Sequence, residues 1–406
     1  MVDASELPFR LLCREFGTTL AYTPMMHSRL LVEQAGYAED HFSTCAADRP
    51  VIAQLCGNDP AIVLAAARVL QDRGIDAIDL NLGCPQGIAR RGRYGAFLLD
   101  EPEVILSIVR ALASGLRIPV TCKIRILATQ EATLKLARDI EEAGASLLTV
   151  HGRTRANMKQ SITTADWDII AAVKRELKIP VIANGSIGSF ADVEDCLKRT
   201  GVDGVMSSEA LLENPGLFSS NFPTKGPLPP LQTANAFALT RRYLDLAREN
   251  DFTNVGTIRG HMFKLLFGVF RAFPETMDTL LRAKTVAECE AAVEVAAAAH
   301  TASTYATSLH TATGIAGAEI AAAQRKAAGM VASAAGKPLA WAEEGYLIDP
   351  SIPGAWYMRH RPDAYEGAKA PAGIRPLSDK KRARAEKIAG GGGGGGGERE
   401  GVEEEE

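Results

Sequence analysis

A cysteine in a turn, a lysine between apolar neighbours and a histidine followed by glycine are the side chains with most scope for chemistry in this chain. The cysteine ends the run Asp79-Leu80-Asn81-Leu82-Gly83-Cys84-Pro85. Glycine permits unusual backbone angles and proline forbids further pairing, which puts Cys84 at the end of a strand. Arg90, Arg91 and Arg93 follow in a glycine-containing loop, with a helix expected from about Ala96. A cysteine at a strand edge beside a basic loop suits chemistry on an anionic substrate. A buried cysteine in a tight turn is the plainer alternative, and the local residues favour neither. The lysine is Lys123 in Cys122-Lys123-Ile124-Arg125, and the histidine is His151 in Val150-His151-Gly152-Arg153. Gln54, Asn81 and Asn184-Gly185-Ser186 occupy the same place in other short apolar runs. A single buried amide or imidazole is usually a satisfied hydrogen-bonding group, whereas an unpaired buried lysine is costly. Six polar side chains at six strand ends point to a ligand.

The runs that must position these residues recur regularly. Strands are predicted at 20–23, 51–55, 77–82, 120–124, 147–151, 181–184 and 204–207, and helical periodicity at 60–73, 102–114, 130–143, 167–177 and 190–198. Repeated strand–helix units indicate a parallel sheet, and this many indicate an α/β TIM (β/α)8 barrel. A barrel needs eight strands. Met1-Val2-Asp3 reads as the loop leaving a first strand, with a helix at 8–16 next, so that strand is expected to be truncated. An open doubly wound sheet is the alternative, but no Gly-x-Gly-x-x-Gly follows an early strand.

The barrel is assigned to residues 1–222, and the proline-rich stretch 221–230 closes it. An all-α helical domain follows at 231–300, with helices predicted at 233–249, 257–270 and 274–299. An Ala-rich and Pro/aromatic extension covers 301–379, and a disordered tail of basic, Gly and Glu residues covers 380–406. The 406 residues are 46% hydrophobic and 23% charged with a net charge of −4, values ordinary for a globular chain. Seven cysteines without paired short spacing argue against a disulfide framework and a zinc site, so no metal is expected. No apolar run reaches membrane-spanning length, and the first residues carry neither the charge nor the apolar stretch expected of a signal peptide. The expected setting is the cytoplasm, with the nucleus as a second address, without a membrane or an obligate protein partner.

A planar ligand with several polar edges would use the strand-end residues together, and a flavin fits. Its ring edge alternates carbonyls and nitrogens for Gln54, Lys123 and His151, and Lys123 would stabilise the anionic reduced ring. Its phosphate would lie between Asn184-Gly185-Ser186 and the next strand's loop, Ser207-Ser208-Glu209, where barrels commonly bind phosphate.

Six ordered motifs resemble the tRNA-dihydrouridine synthase family. They are Met1–Arg10, Asn81–Gln86 with Arg91-Gly92-Arg93-Tyr94-Gly95-Ala96, Cys122–Arg125, His151–Arg155, Ala183–Ser186 and Gly204–Ser207, with a sparser match over Val255–Leu266 carried by Ile258–Leu265. The spellings Leu-Gly-Cys-Pro-Gln and Val-Met-Ser are most similar to its eukaryotic tRNA-dihydrouridine(16/17) branch. The resemblance implies an FMN-dependent barrel joined to a helical tRNA-binding domain, reducing D-loop uridine to 5,6-dihydrouridine with NADPH or NADH. It implies Cys84 as the proton donor, which must be protonated to act; a thiol of ordinary pKa, about 8.5, is a competent general acid. Met1 and Val2 would help to floor the flavin. Asn81, Arg90, Arg91, Arg93, Arg153 and Arg155, with Arg259 and Lys264 from the helices, would hold the RNA, whose target base must leave its stack.

The chain departs from the family pattern in three places. The family's Pro-Met strand end precedes Val2, whereas here the chain starts at the Met. Ala156-Asn157-Met158-Lys159 stands for the usual Glu-Gln-Lys-Gly, leaving Lys159 as the available lysine. Ser208-Glu209 replaces a Gly-Arg phosphate signature, so backbone amides are expected to carry the phosphate. Two other readings are a flavin barrel for a small pyrimidine, similar to dihydroorotate dehydrogenase, and a catalytically impaired tRNA-binding protein.

Overall fold

Helices between the apolar runs return the chain to the same edge each time, so the strands pair in parallel. The computed structural model describes residues 4–157, 164–219 and 236–313. Helix α1 (Leu7–Glu15) leads to the short strands β1 (Ala21–Tyr22) and β2 (Met26–His27), then α2 (Ser28–Glu33) and α3 (Tyr37–His41). The alternation continues with β3 (Val51–Cys56), α4 (Pro60–Asp72), β4 (Ala77–Leu82), α5 (Gly87–Gly92) and α6 (Pro102–Gly115). After these come β5 (Val120–Arg125), α7 (Gln130–Glu142), β6 (Leu147–His151), α8 (Trp167–Glu176), β7 (Val181–Asn184), α9 (Phe190–Thr200), β8 (Gly204–Met206) and α10 (Glu209–Glu213). Asp59, Thr129, Asp166 and Ser189 accept backbone N–H groups at the starts of α4, α7, α8 and α9, which fixes where those helices begin.

The sheet order is β1-β3-β4-β5-β6-β7-β8, with β2 also paired to β3. β1 and β2 are two halves of one strand position interrupted at Pro24, which has no N–H to give the ladder. Among the described residues the wall is therefore a TIM-type barrel of seven strand positions, open between β1 and β8. Side chains alternate across it. Ala53, Leu55, Ile78, Leu80, Cys122, Ile124, Leu148 and Val150 face the helices and form the main apolar core. The other set lines the inside in rows fixed by register. Gln54, Asp79 and Thr121 share one row; Asn81, Lys123 and Thr149 the next; Arg125, His151, Asn184 and Met206 the last.

The second core belongs to α11 (Ala236–Glu249), α12 (Val255–Leu265), α13 (Phe267–Ala272), α14 (Pro274–Arg282) and α15 (Val286–Thr313). Tyr243, Leu244, Ile258, Met262, Leu280 and Val293 pack there with Leu7, Phe9 and Leu12, so α1 lies with the helices rather than against the sheet. The helix expected at 257–270 breaks at Leu266. The one expected at 274–299 breaks at 283–285, because Thr285 Oγ1 accepts Glu288 N at 3.2 Å while Glu288 Oε2 accepts Lys284 N at 2.5 Å, a reciprocal cap that starts α15. The loop after Cys84 is also more regular than expected: it is α5 followed by a 3-10 turn at Gly95–Asp100. No described helix is long and apolar enough to cross a membrane. Met1, Val2, Lys159, the boundary at 221–230 and everything beyond 313 lie outside the described residues.

Candidate active site

The C-terminal edge of the sheet carries one continuous hydrogen-bonded chain. Asp79, fully buried, accepts from Thr121 Oγ1 at 2.8 Å and from Gln54 Nε2 at 2.9 Å. Gln54 Oε1 accepts from Asn81 Nδ2 at 2.9 Å, and Asn81 Oδ1 accepts from the backbone N–H groups of Gly83 and Cys84 at 3.1 and 3.0 Å. Each link dictates the amide orientation of the next. Gln54 and Asn81, expected to meet flavin and RNA, spend most of their bonding capacity on shaping the cysteine turn. Burial pushes Asp79 up to about 6, against the pull of its Gln54 and Thr121 donors.

Cys84 is partly exposed and packs against buried Cys56 and Tyr94. The 3-10 turn seals the other side: Ala96 N donates to Cys84 O at 3.0 Å. Gly95 adopts φ +66, and a Cβ there would lie 2.8 Å from Cys84 O. Only glycine fits both conditions.

Lys123, next along the inner rows, donates from Nζ to Asn184 Oδ1 at 2.9 Å, and Asn184 Nδ2 donates to Met206 O at 2.9 Å. Among the described residues Lys123 has no carboxylate within salt-bridge distance. Burial, with the Arg125 guanidinium, brings its pKa down to about 8 although Asp79 pulls upward. Arg125 donates to Gly83 O at 2.8 Å and Thr154 O at 2.9 Å, and burial and Arg153 lower it to about 10. Burial, Lys123, Arg125 and Arg153 all push the His151 pKa far down, leaving the imidazole neutral. Three cations thus crowd one edge beside a single buried carboxylate.

At the expected phosphate loop, Gly185 has φ +104 and Ser186 φ +59. Ser186 Oγ accepts from Ala165 N at 2.8 Å and from Arg153 at 3.2 Å. Ser208 precedes α10, and Glu209 is exposed at its first turn.

The arginines expected to hold RNA separate into groups. Arg90 and Arg91 are exposed on α5 with no ion pair among the described residues. Arg93 pairs with Glu101 at 2.7 Å, and Arg155 pairs with Asp100 at 2.6 Å while lying 5.0 Å over the Phe97 ring. Arg259 is half-buried and donates to Leu281 O at 2.9 Å; Lys264 is half-buried on the same helix. Arg153 is buried beside His151 and Ser186, away from the exposed group. Sequence reasoning passed over Asp79, Thr121 and Arg125. Their signal was strand parity, since each lies two residues from an inner-face residue already singled out. No described group of three or more His, Cys, Asp or Glu side chains could hold a metal ion.

The tRNA-dihydrouridine(16/17) synthase (NAD(P)+)-like protein of Rattus norvegicus is 42% identical over 288 residues, covering 70% of this chain and 63% of that protein. The tRNA-dihydrouridine(16/17) synthase (NAD(P)+) of Schizosaccharomyces pombe is 44% identical over 274 residues, covering 66% and 67%. That of Saccharomyces cerevisiae is 40% identical over 280 residues, covering 66% and 64%. The chain thus spans roughly three-fifths to two-thirds of the length of these relatives. Residues 1–302, which hold the whole strand-edge network and the helices through most of α15, match one family description. This chain belongs to the dihydrouridine synthase family.

Proposed function

We propose that the chain reduces uridine to 5,6-dihydrouridine in the D-loop of tRNA, with FMN as its cofactor and NADPH or NADH as reductant. The observation that carries this reading is Lys123: a half-buried ammonium whose hydrogen-bond partner among the described residues is an amide oxygen, paired across the sheet with Asn81 of the cysteine turn. Such a cation calls for an anionic or electron-rich ligand. Gly185 lets its loop pack directly on the His151 ring, since a Cβ there would lie 2.8 Å from His151 Cδ2 and 2.9 Å from Ala165 Cβ. Bound FMN would supply the hydride chemistry.

In this reading residues 1–222 hold the chemistry and the helices of 231–300 hold RNA. Lys123 and the neutral His151 would hold the flavin ring, the ammonium supplying positive charge that favours its reduced, electron-rich form. Asn184 fixes the ammonium in place. Hydride arriving at uracil C6 leaves a carbanion delocalised from C5 to O4. The Cys84 S–H bond then breaks, its proton forms the new C5–H bond, and the thiolate takes the electron pair until water restores the proton. Arg90 and Arg91, exposed four to five residues beyond Gln86, offer their charge to the RNA backbone.

The test uses the purified full chain: its visible spectrum for bound flavin, then mass-spectrometric counting of dihydrouridine in tRNA after adding NADPH. A colourless protein that leaves uridine unchanged when FMN is added would overturn the reading.

A further inference from the structure

We infer that Arg153 is a positioning residue that holds His151 as the tautomer protonated on Nδ1, so that this strand end presents a neutral N–H donor to an acceptor atom of the ligand. The identity of that ligand as a flavin rests on the proposed function above; the tautomer does not.

The first observation is a contact. Arg153 NH1 lies 3.3 Å from His151 Nε2. A guanidinium has five donors and no acceptor, so Nε2 must offer its lone pair and cannot carry a proton. Arg153 is itself held from the other side, because its NH2 donates to Ser186 Oγ at 3.2 Å and Ser186 Oγ is anchored by Ala165 N at 2.8 Å. The second observation concerns the same edge of the ring. A Cβ on Gly185 would lie 2.8 Å from His151 Cδ2 and 3.1 Å from Nε2, so the phosphate-loop backbone lies against that edge. His151 Nδ1 makes no hydrogen bond among the described residues, which leaves it as the nitrogen available to a ligand. A second proton would make an imidazolium among Lys123, Arg125 and Arg153, and these oppose it. The residues Arg153 and Ser186 are 33 apart in sequence, so the arrangement appears only once β6 and β7 are side by side.

The experiment is nitrogen-15 NMR of the full chain labelled at histidine, with and without FMN, with His151→Gln used to assign the signal among the seven histidines. The expected spectrum has His151 protonated at Nδ1 and bare at Nε2. Arg153→Met, which removes the donor, should shift His151 to a mixture of tautomers and weaken FMN binding about tenfold, roughly one hydrogen bond. Arg153→Lys keeps the charge and a donor, and should recover the tautomer in full or in large part. If Arg153→Met does not fold, the wild-type and Arg153→Lys spectra decide. A wild-type His151 protonated at Nε2, or at both nitrogens, overturns the inference, as does an unchanged tautomer in a folded Arg153→Met. Failure of FMN to bind a wild-type protein that shows the Nδ1–H signature would overturn the flavin reading instead.

Discussion

Two buried polar clusters in this molecule use similar groups to different ends. In the helical core, Glu6 accepts from Tyr243 OH at 2.8 Å and from His261 Nε2 at 2.9 Å, and His261 stacks on Phe9 with ring centroids 4.3 Å apart. Burial alone would raise the Glu6 pKa, but His261 and Tyr243 outweigh it and hold it below the usual value. Both carboxylate oxygens are satisfied and the charge is closed within the cluster, although His261 Nδ1 is buried without a hydrogen-bond partner among the described residues. At the sheet edge, by contrast, Lys123 rests on one amide oxygen, and His151 keeps a ring nitrogen unused among the described residues. A cluster whose charge is paired fastens elements together; one with an unpaired cation asks for a ligand. Burial and residue type do not distinguish the two. Pairing of charge does: Glu6 holds both of its donors, whereas the Lys123 ammonium has no carboxylate within salt-bridge distance among the described residues.

That contrast can be broken most sharply at the open cluster. Cys84→Ala should lower dihydrouridine formation by about 10²–10⁴-fold, the usual share of a general acid, while flavin content and melting temperature stay as they were. Retained activity would remove the cysteine from its role.

The closed cluster should respond in stability and not in chemistry. Glu6→Gln should cost about 3 kcal/mol in denaturant unfolding, because it leaves Tyr243 and His261 poorly matched in the core, with turnover per folded molecule unchanged. In the wild type, the depressed Glu6 pKa contributes stability above the unfolded value near 4.3, and loses it as pH falls through the lower folded value.

The open cluster should show the opposite signature at alkaline pH. Lys123 is held down to about 8 against an unfolded value near 10.4. Its contribution is therefore whole above about pH 10 and is lost as pH falls through 8. Flavin-free wild type should gain about 1–3 kcal/mol between pH 7 and 10 relative to Lys123→Met, measured by denaturation. Equal slopes would show that the ammonium is better solvated than its surroundings suggest.

Two smaller effects sharpen the picture. Gly95→Ala forces a Cβ to 2.8 Å from Cys84 O at φ +66, and should cost about 1–2 kcal/mol while lowering turnover by displacing the cysteine. Arg91→Ala should leave stability unchanged and reduce the salt dependence of tRNA binding by about one phosphate contact.

Much of the barrel was legible because β-branched runs and amphipathic stretches alternate at a spacing only a parallel sheet explains. Strands 77–82, 147–151 and 181–184 come out with the bounds expected. β2 was not legible, since two residues after a proline carry no pattern. α5 was not either: bounded by Gly87 and Gly92, Gly-Ile-Ala-Arg-Arg-Gly has the composition of a loop, yet Tyr94 N donating to Ala89 O helps to close it into a helical turn. At the site, strand ends marked Cys84, Lys123 and His151. What they could not show was how each neighbour is used. Arg153 looks like any arginine after a glycine until Ser186 arrives beside it.

The placement of α1 has a practical consequence for dissecting the molecule. Leu7, Phe9 and Leu12 enter the sheet-bearing part of the chain first in sequence, yet most of their apolar cover comes from Ala236 onward. A fragment cut anywhere between 222 and 231 would present those three side chains to water and strand the Glu6 carboxylate without its donors. Barrel and helices should therefore melt as one cooperative piece and an isolated barrel should be sticky in solution, so the two parts are best separated by point substitutions and not by truncation.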